Sequence, residues 1–464
     1  MSDPLLWEQR VKCSFIREYF YSHTGGPSTR PSVAETEGRK RSGYRVARPS
    51  TMTSKRASCF VYVWLPGATE AVTAGKYELT VDCRGTPLGR FVYDKSYLAR
   101  QDALPLDPVD LALGTGVFET AGLNGVFGAL RDSGPDYWGR HIIERRLGTS
   151  GLDEMTYLLE SPDDRAGALG FGLGQVPPAP TRKFNEMLDL GKLQEAADRL
   201  ACGDPASGND AEQAEQLTLL GTAMGGARPK VVVENTAGLW LAKFNKATDR
   251  WNNARVERAM LVLARAAGIN TAESKLTSMG DRDVLLVKRF DRDKVKGGYT
   301  RGRMVSGVTL LRTDDDAISR DRWSYVLLAE EVRRICAEPK KNAHELFRRM
   351  AFNALISNID DHPRNHAILA KGQEWNLSPA YDLTPAVPIS EEHRDLAMTA
   401  GDLGRHSLGE LVGRSWEMLL ADRYTTFRII HIYSEKRIYL FNAEIRILTT
   451  NTFFRILQTW TKHS

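Results

Sequence analysis

The most constraining stretch of this sequence is residues 356–365, which follows a helical pattern and contains a proline. Apolar residues recur through the preceding segment with the spacing of a helix that buries one face. Pro363 cannot continue that helix, and its ring biases His362 toward extended geometry. We therefore expect Asp360, Asp361 and His362 to lie on a loop that a buried helix holds in place.

A hairpin pattern and a further aspartate follow this loop. Two strand-like runs, 366–369 and 375–377, flank a turn centred on Gly372, and Asp382 lies beyond them. Phosphoryl transfer needs a carboxylate near the attacking hydroxyl and oxygen ligands for magnesium. Protein kinases space their base Asp and a metal-binding Asn as D-x-x-x-x-N, which Asp360 and Asn365 share. An acidic surface loop that caps the next element fits the same spacing, so the loop by itself leaves both interpretations open.

Composition excludes several classes of protein. The 464 residues can form two or three domains, and 42% hydrophobic and 26% charged residues are ordinary for a globular protein. A net charge of +5 is too small to indicate nucleic-acid binding by itself. The five scattered cysteines, without C-x-x-C spacing, argue against a disulfide framework or a zinc site. No apolar run reaches transmembrane length and no signal-peptide core is visible, so we expect a cytoplasmic protein without membrane contact.

The first third of the chain divides into a polar segment and a β-rich subdomain. Residues 1–57 are rich in polar and basic residues, and we interpret them as disordered or as an over-extended start, with Met52 as the natural initiator. Residues 58–165 show strand patterns at 60–65, 76–81 and 88–93, followed by helices over 118–146. Residues 161–180 are rich in Gly and Pro and are expected to be irregular.

Residues 166–288 have the features of a nucleotide-binding lobe. The small residues around Gly225 and Gly226 precede a strand, so their backbone can approach a phosphate closely, although a plain turn has the same pattern. Lys243 lies inside a strand, and Glu257 lies near the start of the next helix. In kinases such a lysine and glutamate pair and hold the phosphates. The buried strand that ends near Asp291 predicts a hinge between two lobes.

The remainder is predicted as an α-rich lobe, residues 289–413, and an atypical tail, residues 414–464. The tail contains neither Gly nor Pro and has no convincing amphipathic pattern. We interpret it as an aberrant end, such as the product of a frameshift.

These motifs together resemble the HipA family of serine/threonine kinases, the toxins of bacterial type II toxin–antitoxin modules. The resemblance covers about residues 58–405, and its motifs lie at 225–230, 243, 289–292, 358–365 and 377–383. Residues 91–94 and 135–139 resemble the N-terminal domain of the family. The resemblance implies an α+β protein with a two-lobed protein-kinase-like fold, a small N-terminal β-rich subdomain and an α-rich C-terminal lobe.

The resemblance also implies roles for the matching residues. Asp360 is expected to be the catalytic base, and Asn365 and Asp382 are expected to hold Mg²⁺. Lys243 is expected to contact the ATP phosphates, and Asp291 the ribose. The other expected nucleotide contacts lie in the phosphate loop, the hinge and the catalytic loop, and they are Gly225, Gly226, Ala227, Arg228, Lys230, Glu257, Lys288, Phe290, His362, Arg364 and Tyr381.

The family further implies partners. These are a HipB-like DNA-binding antitoxin, operator DNA reached mainly through that antitoxin, and a protein substrate such as an aminoacyl-tRNA synthetase. The regulatory serine of the family is replaced by Ala223, with Thr222 beside it, which puts self-inactivation by phosphorylation in doubt. Two alternatives stay open: a catalytically impaired corepressor that binds the antitoxin, and a small-molecule phosphotransferase.

Overall fold

The computed structural model describes most of the chain between residues 57 and 400. The described ranges are 57–180, 184–186, 190–202, 228–246, 249, 251–280, 282–314, 318–385, 396–400, 437–440 and 445–448. The proposed start at Met52 lies outside the described residues, as does most of the 414–464 tail. Within that tail, strand Arg437–Leu440 pairs antiparallel with strand Ile445–Leu448.

An antiparallel five-stranded sheet begins the described chain. Its strands are β1 (Ala57–Val63), β2 (Val72–Val81), β3 (Pro87–Tyr93), β4 (Phe118–Thr120) and β5 (Leu169–Gly172), in the order β4-β3-β2-β1-β5. The first three confirm the strands predicted at residues 60–65, 76–81 and 88–93. Val61, Tyr77 and Phe91 are fully buried, so one face of this sheet is part of a core.

Two strands of this sheet contradict the sequence predictions. A helix was expected from residue 118, but β4 pairs with β3, where Phe118 packs edge-on against Tyr93. Irregular chain was expected over 161–180, but β5 pairs with β1. Its glycines fit this strand because a Cβ at Gly172 would lie only 2.7 Å from the hydroxyl of Tyr62.

Four helices complete what we call the N-terminal region, residues 57–172. They are α1 (Lys95–Leu98), α2 (Gly128–Asp132), α3 (Tyr137–Leu147) and α4 (Glu154–Glu160), with a 3₁₀ turn at Leu123–Gly125. Asp94, Asp136 and Asp153 cap α1, α3 and α4, because each carboxylate accepts a hydrogen bond from a free N–H of the first turn.

A second five-stranded sheet carries the predicted lysine strand. The elements in chain order are β6 (Asn185–Glu186), α5 (Leu190–Cys202), β7 (Lys230–Asn235), β8 (Gly238–Phe244), α6 (Asn253–Ala266), β9 (Ser274–Met279) and β10 (Arg282–Lys288), and the strand order is β6-β7-β8-β10-β9. Helix α6 begins after Asn252, whose side chain accepts a hydrogen bond from the N–H of Arg255. These elements confirm the strands and the helix predicted around Lys243 and Glu257.

Strands precede the helices in the last part of the described chain, where the sequence predicted mainly helix. The elements are β11 (Arg292–Val295), β12 (Gly298–Arg301), β13 (Arg303–Ser306), α7 (Gly307–Leu310), a 3₁₀ turn (Ile318–Arg322), α8 (Tyr325–Ile335), α9 (Pro339–Leu355), a 3₁₀ turn (Pro363–Asn365), β14 (Ala367–Ala370) and β15 (Asn376–Leu377). β14 and β15 form the predicted hairpin, and β13 extends it into a three-stranded sheet. The chain is therefore an α+β protein with a β-rich N-terminal part and a helical C-terminal part. Among the helices described, none combines the length and the apolar character needed to cross a membrane.

The largest core joins the first sheet to the C-terminal helices. Phe91 of β3 and Leu130 of α2 belong to the same buried cluster as Leu328 of α8 and Met350 of α9. A smaller cluster packs the inner face of α6 against Phe352 and Ile356. The predicted boundaries at 165/166 and 288/289 stay predictions, but packing crosses both of them.

A buried cluster of charges fixes the hinge segment, residues 289–292. Arg289 donates hydrogen bonds to both carboxylate oxygens of Asp291, at 2.9 and 2.8 Å, and to Asp164 at 2.8 Å. Arg292 and the N–H of Gly167 also donate to Asp291, at 2.8 and 2.9 Å. Burial alone would raise the pKa of Asp291, but the two guanidinium groups hold it well below its ordinary value. The hinge is therefore tied to the end of the N-terminal region.

We expect Asp291→Asn to lower the free energy of unfolding by about 3 to 5 kcal/mol, because it leaves two buried arginines with one carboxylate fewer. Urea denaturation at pH 7 measures this loss. Asp293→Asn is the matched control, since Asp293 pairs with Lys371 at the surface, where both side chains are about half exposed, and its loss should cost less than about 1 kcal/mol. Equal losses in the two variants would contradict a stabilising role of the cluster.

Candidate active site

The loop at residues 356–362 leaves α9 as the sequence predicts. α9 ends at Leu355, and a 3₁₀ turn begins at Pro363. Between them Ser357 adopts a left-handed conformation with a φ of 59°, which is uncommon for a residue other than glycine and frequent at functional sites. The Asn358 side chain donates hydrogen bonds to Asn353 of α9 at 3.1 Å and to the carbonyl oxygen of Asp382 at 3.4 Å. The loop is thus joined to the helix before it and to the segment after the hairpin.

Asp360 lies on this loop and is exposed to solvent. Partial desolvation by the surrounding protein raises the pKa of Asp360; His362 opposes this shift, and the carboxylates of Asp382 and Asp361 add to it. A carboxylate that is accessible and more basic than usual is suited to accept a proton.

Asp361 differs from its neighbour because it is buried, with 1% of its surface exposed. The hydroxyl of Tyr325 on α8 donates a hydrogen bond to it, and Nε2 of His366 lies 3.0 Å from the same carboxylate oxygen. Asp361 therefore anchors the loop to α8, while Asp360 remains available for chemistry.

Lys243 of β8 joins the two lobes through its ammonium group. Its Nζ lies 2.7 Å from Glu257 on α6 and 3.0 Å from Asp382 beyond the hairpin. Burial alone would lower the pKa of Lys243, but the two carboxylates raise it above its ordinary value. Burial raises the pKa of Glu257. Burial would also raise the pKa of Asp382, but the charge of Lys243 outweighs it, so the pKa of Asp382 is lowered. The predicted Lys–Glu pair is therefore present, and Asp382 shares the same cation.

Asp382 and Asn365 supply oxygen atoms to one cleft. Asp382 has a left-handed backbone with a φ of 58°. The amide nitrogen of Asn365 donates to the carbonyl oxygen of Asp360 at 3.1 Å. The predicted site residues that line this cleft are Lys243, Lys288, Phe290, Arg364, Asn365, Tyr381 and Asp382.

One end of the cleft is apolar. Leu241, Val287 and Met304 line it together with Ala166 from the N-terminal region. The rings of Phe290 and Tyr381 lie next to each other, with their centroids 5.7 Å apart. A flat heterocycle fits such a surface, because aromatic and aliphatic side chains can cover both of its faces.

Some predicted residues lie elsewhere than expected. The carboxylate of Asp291 is fully buried among the hinge arginines, so it does not face the cleft where a ribose would lie. Lys230 is buried and pairs with Asp136 at 2.5 Å, and Arg228 pairs with Asp249 at 2.7 Å. His362 packs edge-on against Trp323. Gly225, Gly226 and Ala227 lie outside the described residues, as do Thr222 and Ala223.

Two acidic residues of the N-terminal region line the cleft without having been predicted as site residues. Asp132 at the end of α2 accepts hydrogen bonds from Ser306, and Nη1 of Arg364 lies 3.6 Å from it. Asp136 lies at the start of α3. The only sequence signal was their position within or beside the 135–139 motif, to which the sequence analysis assigned no function.

The cleft fits MgATP in its chemistry. Asp382 and Asn365 offer the hard oxygen ligands that Mg²⁺ prefers, and Mg²⁺ is commonly held by one or two carboxylates together with substrate phosphates. In the part of the chain that the structure describes, no three His, Cys, Asp or Glu side chains form a cluster that could hold a metal alone. Lys243 and Arg364 supply positive charge beside these oxygens, and the apolar end suits the base.

Comparison with protein families identifies the chain. Residues 222–432 match the HipA-like C-terminal domain, and residues 73–172 match the HipA N-terminal domain. The chain belongs to the HipA family. The two matches cover residues 73–172 of the N-terminal region and the whole of the loop at residues 356–362.

Two relatives of known organism are named as putative kinases. The protein "Putative kinase Y4mE" of Sinorhizobium fredii is 24% identical over 353 residues, which span 70% of this HipA protein and 79% of the relative. A Haemophilus influenzae protein named "Putative kinase" is 24% identical over 188 residues, or 38% of this chain and 54% of the relative.

A solved structure shows the same fold. HipA of Shewanella oneidensis MR-1, from a complex with HipB and operator DNA, matches with a TM-score of 0.58 at 20% sequence identity. The match covers 79% of this chain and 86% of the Shewanella chain. The predicted two-lobed architecture with its N-terminal β-rich part is thereby confirmed.

We expect Lys243→Met to lower the free energy of unfolding by about 3 kcal/mol at pH 7, because Glu257 and Asp382 lose the cation between them. The loss should shrink as the pH falls toward about 5, since the two carboxyl groups can then take up protons and end their repulsion. Urea denaturation at several pH values measures both effects. Lys288→Met is the control, because Lys288 pairs with the largely exposed Glu273. If the stability loss of Lys243→Met did not change with pH, Lys243 would not be the cation that Glu257 and Asp382 share.

Proposed function

We propose that this HipA protein is an ATP- and Mg²⁺-dependent protein serine/threonine kinase that acts as the toxin of a toxin–antitoxin pair. The observation that carries the proposal is the contact of Lys243 with both Glu257 and Asp382, beside the loop that bears Asp360 and Asn365. Protein kinases use such an arrangement to hold the nucleotide and the metal next to the base.

Asp360 is the catalytic base in this proposal. Its solvent-accessible carboxylate can accept the proton of a serine or threonine hydroxyl on a protein substrate, and its raised pKa favours that transfer. The hydrogen bond from Asn365 to the backbone of Asp360 fixes the distance between the base and the metal ligand. Asp361 keeps the loop in place through Tyr325 and His366.

Lys243, Asp382 and Asn365 bind the nucleotide phosphates and Mg²⁺. Bound Mg²⁺ neutralises charge that develops on the transferred phosphoryl group. Lys243 adds a fixed positive charge, and Glu257 orients its ammonium group. The apolar end of the cleft, with Phe290 and Tyr381, holds adenine.

The partners follow from the family. The Shewanella HipA structure contains HipB and operator DNA, so we propose a HipB-like DNA-binding antitoxin as the partner of this chain, with operator contact mainly through that antitoxin. The substrate in this proposal is a cytosolic protein, and an aminoacyl-tRNA synthetase is the first candidate to test. Phosphoproteomics after expression of the wild type and of an Asp360→Asn variant identifies it.

We expect Asp360→Asn to reduce ATP-dependent phosphorylation at least about 100-fold, because it removes the base. In the wild type, kcat/KM should fall as the pH drops through the pKa of Asp360, which lies above the ordinary aspartate value of about 3.9. Radiolabel transfer from ATP measures the rate of phosphorylation and its pH dependence. Asp361→Asn is the comparison, because it loosens the loop but keeps the base and so keeps the fall of kcat/KM at low pH. Label in small molecules instead of protein would favour the phosphotransferase alternative, and wild-type turnover that Asp360→Asn leaves unchanged would refute the assigned base.

A further inference from the structure

The cations around the cleft each meet a carboxylate, and two of these carboxylates come from the N-terminal region. Lys243 pairs with Glu257 and Asp382 within the two lobes. Lys230 and Arg364, in contrast, are paired with Asp136 and Asp132, which lie near the junction of α2 and α3. The N-terminal region therefore forms one wall of the active site.

Asp136 is placed precisely enough to fix its partner. Its Oδ1 accepts a hydrogen bond from the N–H of Gly139 at 2.7 Å, which caps α3. Its Oδ2 lies 2.5 Å from the Nζ of Lys230, and the exposed fractions of the two side chains are 4% and 2%. One oxygen thus fixes the residue to a helix, and the other faces the lysine.

Lys230 needs such a partner because of where it lies. It is the first residue of β7, directly after the predicted phosphate loop, and it is close enough to Asp382 to act on it electrostatically. An ammonium group buried without a counter-charge is strongly disfavoured. The carboxylate of Asp136 offsets this cost and keeps a positive charge next to the metal ligands.

Asp132 plays a parallel part for Arg364. Ser306 donates to it through its N–H and its hydroxyl, both at 2.7 Å, and Thr309 donates at 2.6 Å. These bonds fix the carboxylate on β13 and α7, with the Arg364 guanidinium 3.6 Å away. Two independent contacts therefore connect the N-terminal region to cations of the site.

We infer that Asp136 is a positioning residue for the ATP phosphates, which it influences by fixing the Nζ of Lys230, the residue that starts β7 directly after the predicted phosphate loop. This inference rests on the proposed kinase function. It assigns to the N-terminal region a direct part in nucleotide binding.

Asp136→Asn tests the inference, because asparagine is as good a helix cap as aspartate and so the change removes the charge while keeping the cap. We expect it to weaken the binding of fluorescently labelled ADP with Mg²⁺ about tenfold, since a charge-assisted contact is lost. Asp136→Ser keeps the cap as well and serves as a second variant if the first does not fold. Glu154→Gln is the control, because Glu154 forms a largely buried pair with Arg140 in the same region but away from the cleft lining.

A double-mutant cycle with Lys230→Gln distinguishes positioning from general destabilisation. If Asp136 acts through Lys230, the double variant should bind labelled ADP no more weakly than Lys230→Gln alone. The inference is overturned if the losses of affinity in Asp136→Asn and Lys230→Gln multiply in the double variant. It is also overturned if Asp136→Asn binds labelled ADP as tightly as the wild type or more tightly, or if Glu154→Gln loses as much affinity as Asp136→Asn. Absence of binding by the wild type would instead overturn the proposed function on which it rests.

Discussion

The buried contact between the hinge arginines and two aspartates supports most of this structure. Arg289 and Arg292 follow β10, Asp164 belongs to the N-terminal region, and Asp291 lies between the arginines. Because these groups are out of water, any relative shift of the hinge and the N-terminal region would separate opposite charges in a medium of low dielectric constant. The apolar end of the cleft, which includes Phe290 and Ala166, is built on this cluster. Its shape is therefore set by charges that do not contact the ligand.

Carboxylates also fix the positions of cations along the cleft. Glu257, Asp132 and Asp136 each hold a cation at a defined position, and each lies on or next to a helix. A fixed pair is preorganised, so little binding energy of an anionic ligand would be spent on ordering long side chains. Ion pairs thus connect the N-terminal region, the sheet of Lys243 and the segments that carry Arg364 and Asp382.

Short-range patterns in the sequence were enough to place Lys243 in a strand, Glu257 in the next helix and Asp360 in a loop that follows a helix. Pro363 ends the helix pattern, and strand and helix periodicities place Lys243 and Glu257 on adjacent elements. The roles of Asp132 and Asp136 could not be predicted, because their partners lie far along the chain and belong to another sheet or loop. The environment of Asp291 could not be predicted for a related reason. Its position between two arginines is visible in the sequence, but the contacts of its carboxylate depend on Gly167 and, through Arg289, on Asp164.

The core shared by the first sheet and the C-terminal helices has a consequence for synthesis of the protein. The apolar face of β1–β3 is completed by Leu328 and Met350, which leave the ribosome long after the sheet does. Until then this face lacks its cover, and contacts between distant parts of a chain form slowly. The first sheet therefore reaches its final packing only after the C-terminal helices have been made.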